Sequence, residues 1–225
     1  MSSSDFAVKV FEFVILLFSL SFHECAHAWM ASRLGDQTAR LQGRVTLNPI
    51  PHIDPLGTII FPAMVIFGPL LGFRVPFLLI GWAKPTPVIT RNLKKIVRDD
   101  NLITLAGPAS NLILALLAFL GLAVASIAIP DKLMTNGPSE IQALVVLALL
   151  AIKINITLLF FNLLPIPPLD GSHLLRNLLP YNAAQQYDRI PIWISYLLMI
   201  VLGGAVLGIL VTPVFNLILW ALSKI

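Results

Sequence analysis

The chain has 225 residues, 57% of them hydrophobic and only 12% charged, with a mean hydropathy of +0.88. Covering a water-facing surface takes about a quarter of residues charged, so a soluble globular domain is excluded. The formal net charge of +4 does not point to nucleic acid, because in a chain this apolar the excess Lys and Arg belong to cytoplasmic loops.

In chain order, the start MSSSDFAVKVFEF has no basic n-region and no small-residue cleavage site after it, so it reads as part of a retained span. Residues 6–34 form the first apolar stretch, stopped at Gly35. A polar, turn-rich stretch follows, and its alternating part, 40–47, predicts a short β-hairpin at the cytoplasmic membrane surface. Residues 57–82 are apolar but interrupted by Pro62, Gly68, Pro69, Gly72 and Pro76. Further spans are expected over 101–129, 141–164 and 192–222. The expected fold is an all-α polytopic membrane protein of roughly four to six membrane helices in a single domain, 1–225.

Charge placement orients these spans. Arg33, Arg40 and Arg44 cluster at the end of the first, and Lys84, Arg91, Lys94, Lys95 and Arg98 precede the third. If 57–82 crossed the bilayer, these basic groups would face opposite sides, against the positive-inside rule. A re-entrant hairpin at 57–82 puts both on the cytoplasmic side, and broken backbone at that depth must then be buried in protein. Arg176 and Arg189 after the fourth span fit the same side. The alternative is a set of straight crossings.

The first span contains His23-Glu24-Cys25-Ala26-His27, an HExxH pattern. Residues four apart share a helix face, so both imidazoles can reach one metal ion, while Glu24 projects about 100° away and can still reach water at that ion. Imidazole suits zinc, which lowers the pKa of water it binds to roughly 7. The bland alternative is a pair of interfacial histidines with a snorkelling glutamate, but ionisable groups in so apolar a helix are costly and usually functional. A catalytic zinc takes three protein ligands. Asp170, in Asn162-Leu-Leu-Pro-Ile-Pro-Pro-Leu-Asp170-Gly171, is the best remaining candidate because it follows a span returning to the side of His27. Taken alone, Asp170 reads equally as a turn residue or helix N-cap. Pro165, Pro167 and Pro168 exclude regular helix before it and predict an extended, buried stretch.

FHECAHAW together with NLLPIPPLDG resembles the site-2 protease family of intramembrane zinc metalloproteases, and Gly107-Pro108-Ala-Ser-Asn111 is similar to that family's GPxxN pattern. The resemblance implies one zinc ion per chain on His23, His27 and Asp170, Glu24 as general base, and Asn162 assisting at the substrate or the developing oxyanion. It implies a plasma-membrane endopeptidase, its active site toward the cytoplasm, acting on transmembrane or signal-peptide-like segments. The chain resembles the compact branch, and neither a PDZ nor a regulatory domain is expected.

His52 and Asn111 are candidates for contacts behind the metal or with substrate, against the alternatives of an interfacial histidine and a helix-to-helix hydrogen bond. Ser19, Asn155 and Thr157 are further polar residues within apolar spans. Lys153 and Glu12 lie within spans without an assigned role, and His173 reads as a loop histidine. The competing function is a metal transporter or inactive scaffold, disfavoured because no ligand set repeats along a pathway. A glutamate third ligand is disfavoured because the only later glutamate, Glu140, falls in an outer loop.

Overall fold

The computed structural model describes residues 3–72, 82–128 and 139–224. Among the described residues, three helices are long and apolar enough to cross a membrane: α1 (Ser3–Leu34), α4 (Ile96–Ala128) and α5 (Ser139–Asn162). They pack together as a three-helix centre. Their outward faces carry exposed apolar side chains, such as Phe11, Val14 and Phe18 on α1 and Leu116, Leu117 and Leu120 on α4. In water such stripes would be an aggregation liability; against lipid tails they are the appropriate surface. This is a helical membrane protein.

The expected hairpin over 40–47 does not form. Thr38–Leu41 is instead a helical turn, α2, Gly43 turns the chain with φ +70°, and the described residues contain no strand. Alternation of apolar and polar residues predicts a strand only when one face is buried. Here Leu41 is 85% exposed, and Asp36 draws the backbone into a helical start by accepting from the Thr38 N–H at 3.1 Å and hydroxyl at 2.6 Å.

Each proline and glycine noted in 57–72 falls at a change of helix type. Pro55–Ile60 is a π-helical turn, Phe61–Phe67 is α3, and Gly68–Leu71 is a 3₁₀ turn closed by Gly72 at φ +85°. Residues 73–81, with Pro76, lie outside the described residues. The chain comes back to where it left: the Trp82 N–H donates to the Gly57 carbonyl at 3.0 Å, the Thr58 hydroxyl to the Trp82 carbonyl at 2.8 Å, and the Lys84 N–H to the His52 carbonyl at 2.9 Å. From Trp82 to Ile89 the backbone has no regular secondary structure.

After α5 the prolines exclude helix, as expected, but the stretch is a succession of turns rather than an extended strand. Leu164 bonds back to Phe161, Ile166 to Leu164, and Leu169 to Ile166. It is also partly open, with Pro165 and Pro168 exposed. Proline's fixed φ suits turns as well as extended backbone. Helices α6 (Asp170–Leu178) and α7 (Tyr181–Asp188) follow. Residues 192–222 run as one helical rod, α8 (Ile192–Leu198), a π turn and α9 (Gly204–Leu222). This rod closes an apolar core with α4 and α5 around Ile152, Ile156 and Val211.

Candidate metal centre

The centre of the molecule is where α1 meets α4, and α4 carries a glycine there. A Cβ on Gly107 would come under 3.0 Å from both His23 and His27. Only a hydrogen atom fits between α4 and the two imidazoles.

Each imidazole is oriented from behind. His23 Nδ1 lies 2.7 Å from Asn111 Oδ1, and His27 Nδ1 lies 2.7 Å from the Ile103 carbonyl oxygen. Asn111 is held in turn, its amide donating to Asn155 Oδ1 at 2.9 Å and facing the Ser19 carbonyl at 3.4 Å, while Asn155 donates to the Ser19 hydroxyl at 3.0 Å. Because both Nδ1 atoms face acceptors, both carry a proton, and in the neutral imidazoles both Nε2 atoms are left as acceptors. Those acceptors converge: the two Nε2 atoms are 3.0 Å apart.

Asp170 completes the cluster. It opens α6, where an acidic side chain suits the helix N-terminus. Its neighbour Gly171 allows α6 to fold back, since a Cβ there would collide with the Leu163 and Leu164 carbonyls. Asp170 Oδ2 lies 3.0 Å from His23 Nε2 and 3.4 Å from His27 Nε2. Nevertheless it is a buried oxygen without a hydrogen-bond partner. Three ligand atoms from two imidazoles and a carboxylate thus face one another, a group that could hold a metal ion. Ligands of a tetrahedral zinc are about 3.3 Å apart when each bond is near 2.0–2.1 Å. The spacings of 3.0, 3.0 and 3.4 Å fit such an ion.

The cluster opens onto a cleft of about 560 Å³, whose wall includes Glu24, Thr86, Asn162, Asp170, His173 and Tyr196. Glu24 Oε2 accepts from the Thr86 N–H at 3.0 Å and hydroxyl at 2.8 Å. Asn162 ends α5 on the cleft wall, its amide donating to the Leu158 carbonyl at 3.0 Å.

The structure therefore brings together His23, His27, Asp170, Glu24 and Asn162, with Asn111 behind His23. His52 stands apart. It is buried, its Nε2 pairs with the Thr46 carbonyl at 3.0 Å, and its backbone anchors Lys84. Thr157, Lys153 and Glu12 line a separate cavity of about 160 Å³ between α1, α3 and α5. Sequence reasoning missed Thr86, Tyr196 and the Ile103 carbonyl. A backbone acceptor leaves no mark in the sequence, and Thr86 differs from any loop threonine only in standing between Pro85 and Pro87.

The model of peptidase family M50 matches residues 124–202, the stretch carrying Asn162 and Asp170. YwhC of Bacillus subtilis (strain 168) is 35% identical over 207 residues, covering 92% of this chain and 83% of that protein. The chain belongs to peptidase family M50. Rip2 of Mycolicibacterium smegmatis is similar over a comparable length, 31% identical over 213 residues, with 93% of this chain and 70% of that protein covered. Both relatives are named, provisionally, as zinc metalloproteases. No solved structure matches the chain.

Proposed function

We propose that this M50 peptidase is a zinc-dependent endopeptidase that cuts transmembrane or signal-peptide-like segments, with His23, His27 and Asp170 as the metal ligands. The observation that carries the ligand set is the convergence of two proton-free Nε2 atoms on a buried carboxylate oxygen that no donor satisfies. A zinc ion held there supplies a Lewis acid that polarises the scissile carbonyl and acidifies water. Glu24 is the proton carrier, adjacent in sequence to His23 and on the cleft wall, taking a proton from the attacking water and passing it to the leaving amine. Asn162 lines the cleft, and the amide hydrogen not used by the Leu158 carbonyl stabilises the developing oxyanion.

Three features support a cytoplasmic opening at the plasma membrane. The end of α1 and the start of α4 are tied together, with Ile89 and Asn92 both donating to Asp36. The return of Trp82 to Gly57 favours a re-entrant segment over a crossing. Arg33, Arg40, Arg91, Lys94 and Lys95 then gather on one face, which the positive-inside rule assigns to the cytoplasm. A helical substrate must unwind before it can be cut, because its carbonyls are engaged in i to i−4 bonds. The 82–89 stretch, which lines the cleft and has no regular secondary structure of its own, is the backbone best placed to receive it.

Glu24→Gln tests this reading. It is expected to retain zinc by elemental analysis and to lose cleavage, so that uncut segments accumulate in the membrane proteome. A metal transporter would keep its transport in the same variant, and that result would replace the protease reading.

A further inference from the structure

The Glu24 carboxylate, although it borders an open cleft, is held by a residue 62 positions away. Thr86 donates to Glu24 Oε2 twice, from its N–H at 3.0 Å and from its hydroxyl at 2.8 Å, and the same hydroxyl lies 3.1 Å from the Glu24 carbonyl oxygen. Pro85 and Pro87 flank it. Both lack an N–H, so the Thr86 amide is the sole backbone donor across 85–87, and both restrict the backbone torsions around it.

The stretch carrying Thr86 is bolted down on each side by buried polar groups that hydrolysis does not use. Upstream, Trp82 and Lys84 bond to Gly57 and His52, and the Arg44 guanidinium donates to the Pro51 carbonyl at 2.6 Å and the Lys84 carbonyl at 3.3 Å. Downstream, Asp36 accepts from the Ile89 N–H at 2.7 Å and the Asn92 amide at 2.9 Å. Arg44, His52 and Asp36 are 5%, 1% and 0% exposed. Burying such groups is unfavourable unless something requires them. What they share is the fixed placement of 82–92, and with it Thr86.

Resting on the reading of Glu24 as the proton carrier, we infer that Thr86 is a positioning residue, which holds Oε2 so that Oε1 is the oxygen left to meet the attacking water. A glutamate side chain swings among several rotamers, and a free carboxylate beside a metal can turn and ligate it. Two donors on one oxygen remove both possibilities, and hydrogen bonds to a charged acceptor are the strong kind.

The chain has three glutamates, Glu12, Glu24 and Glu140. Infrared spectra of protein labelled with carboxyl-13C glutamate can therefore isolate the Glu24 band by difference against Glu24→Gln. Thr86→Val keeps the N–H and the shape but removes the hydroxyl donor. It is expected to shift the Glu24 carboxylate band and to retain zinc. It should also lower kcat on a quenched-fluorescent peptide with a leucine-rich membrane segment, with KM unchanged, by roughly ten- to a hundredfold, as when one hydrogen bond to a charged group is lost. Thr86→Ser is expected to restore both band and kcat. An unshifted band in Thr86→Val overturns the inference, whether or not the peptide is cut. So does zinc loss in Thr86→Val, or failure of the serine to rescue, since either means that Thr86 only supports the fold. Retained cleavage in Glu24→Gln instead defeats the reading of Glu24 as the proton carrier, while the band shift still reports the contact itself.

Discussion

Two aspartates at helix boundaries, Asp36 after α1 and Asp170 opening α6, differ in how their charge is answered. The carboxylate of Asp36 accepts from the Thr38 N–H and hydroxyl, the Ile89 N–H and the Asn92 amide. Asp170 has a buried Oδ2 with no donor, facing two imidazole lone pairs. Burial alone does not separate a structural carboxylate from a functional one. Saturation is the difference: a carboxylate whose lone pairs are filled by the protein holds the chain together, and one left open beside other ligand atoms could take a metal ion.

The contrast breaks most visibly at Asp170. Asp170→Ala is expected to empty the site of zinc and lower cleavage by more than roughly a thousandfold, because Lewis-acid and charge stabilisation go together. Zinc retained at full stoichiometry by elemental analysis would assign the carboxylate another role. One step back from the metal, Asn111→Leu removes the acceptor that fixes His23 Nδ1–H. It should weaken zinc affinity by about ten- to a hundredfold in a chelator competition while leaving the fold in place. An unchanged affinity would mean that packing alone orients His23.

The smallest effect belongs to the saturated partner. Asp36→Asn is expected to keep its zinc but lose about 1–3 kcal/mol of stability, the scale for a buried charged group that loses part of its bonding. Burial would raise the Asp36 carboxyl, but the hydroxyl and N–H of Thr38, the Ile89 N–H and the Asn92 amide outweigh it and hold the group below its ordinary 3.8. A group depressed in the folded state stabilises above its unfolded value and loses that contribution as pH falls through the folded one. Thermal melts should therefore show wild-type stability declining below about pH 4, with a shallower decline in Asp36→Asn. Parallel declines would remove Asp36 from the acid response.

Periodicity and composition carried much of this. Apolar length located α1, α4 and α5, because a bilayer demands sustained hydrophobicity and internally bonded backbone. HExxH placed two imidazoles on one helix face by spacing alone. The NxxPxPxxDG stretch singled out Asp170 and Asn162, although its prolines were compatible with turns as well as with extended chain. The hairpin at 40–47 failed because alternation records a pattern and not the face it is buried against; Leu41 has no surface to cover it.

What the sequence determined by itself was local: which segments are helical and apolar, and which residues share a helical face, since both follow from interactions within a few residues. Only the tertiary structure decided which distant groups answer one another. Asn111 behind His23, the Ile103 carbonyl behind His27, Thr86 on Glu24, and the Ile89 and Asn92 donors on Asp36 all join residues tens of positions apart. Their pairing is set by how α1, α4 and α5 pack, with Gly107 and Gly171 permitting the close approaches, and no short-range rule encodes that.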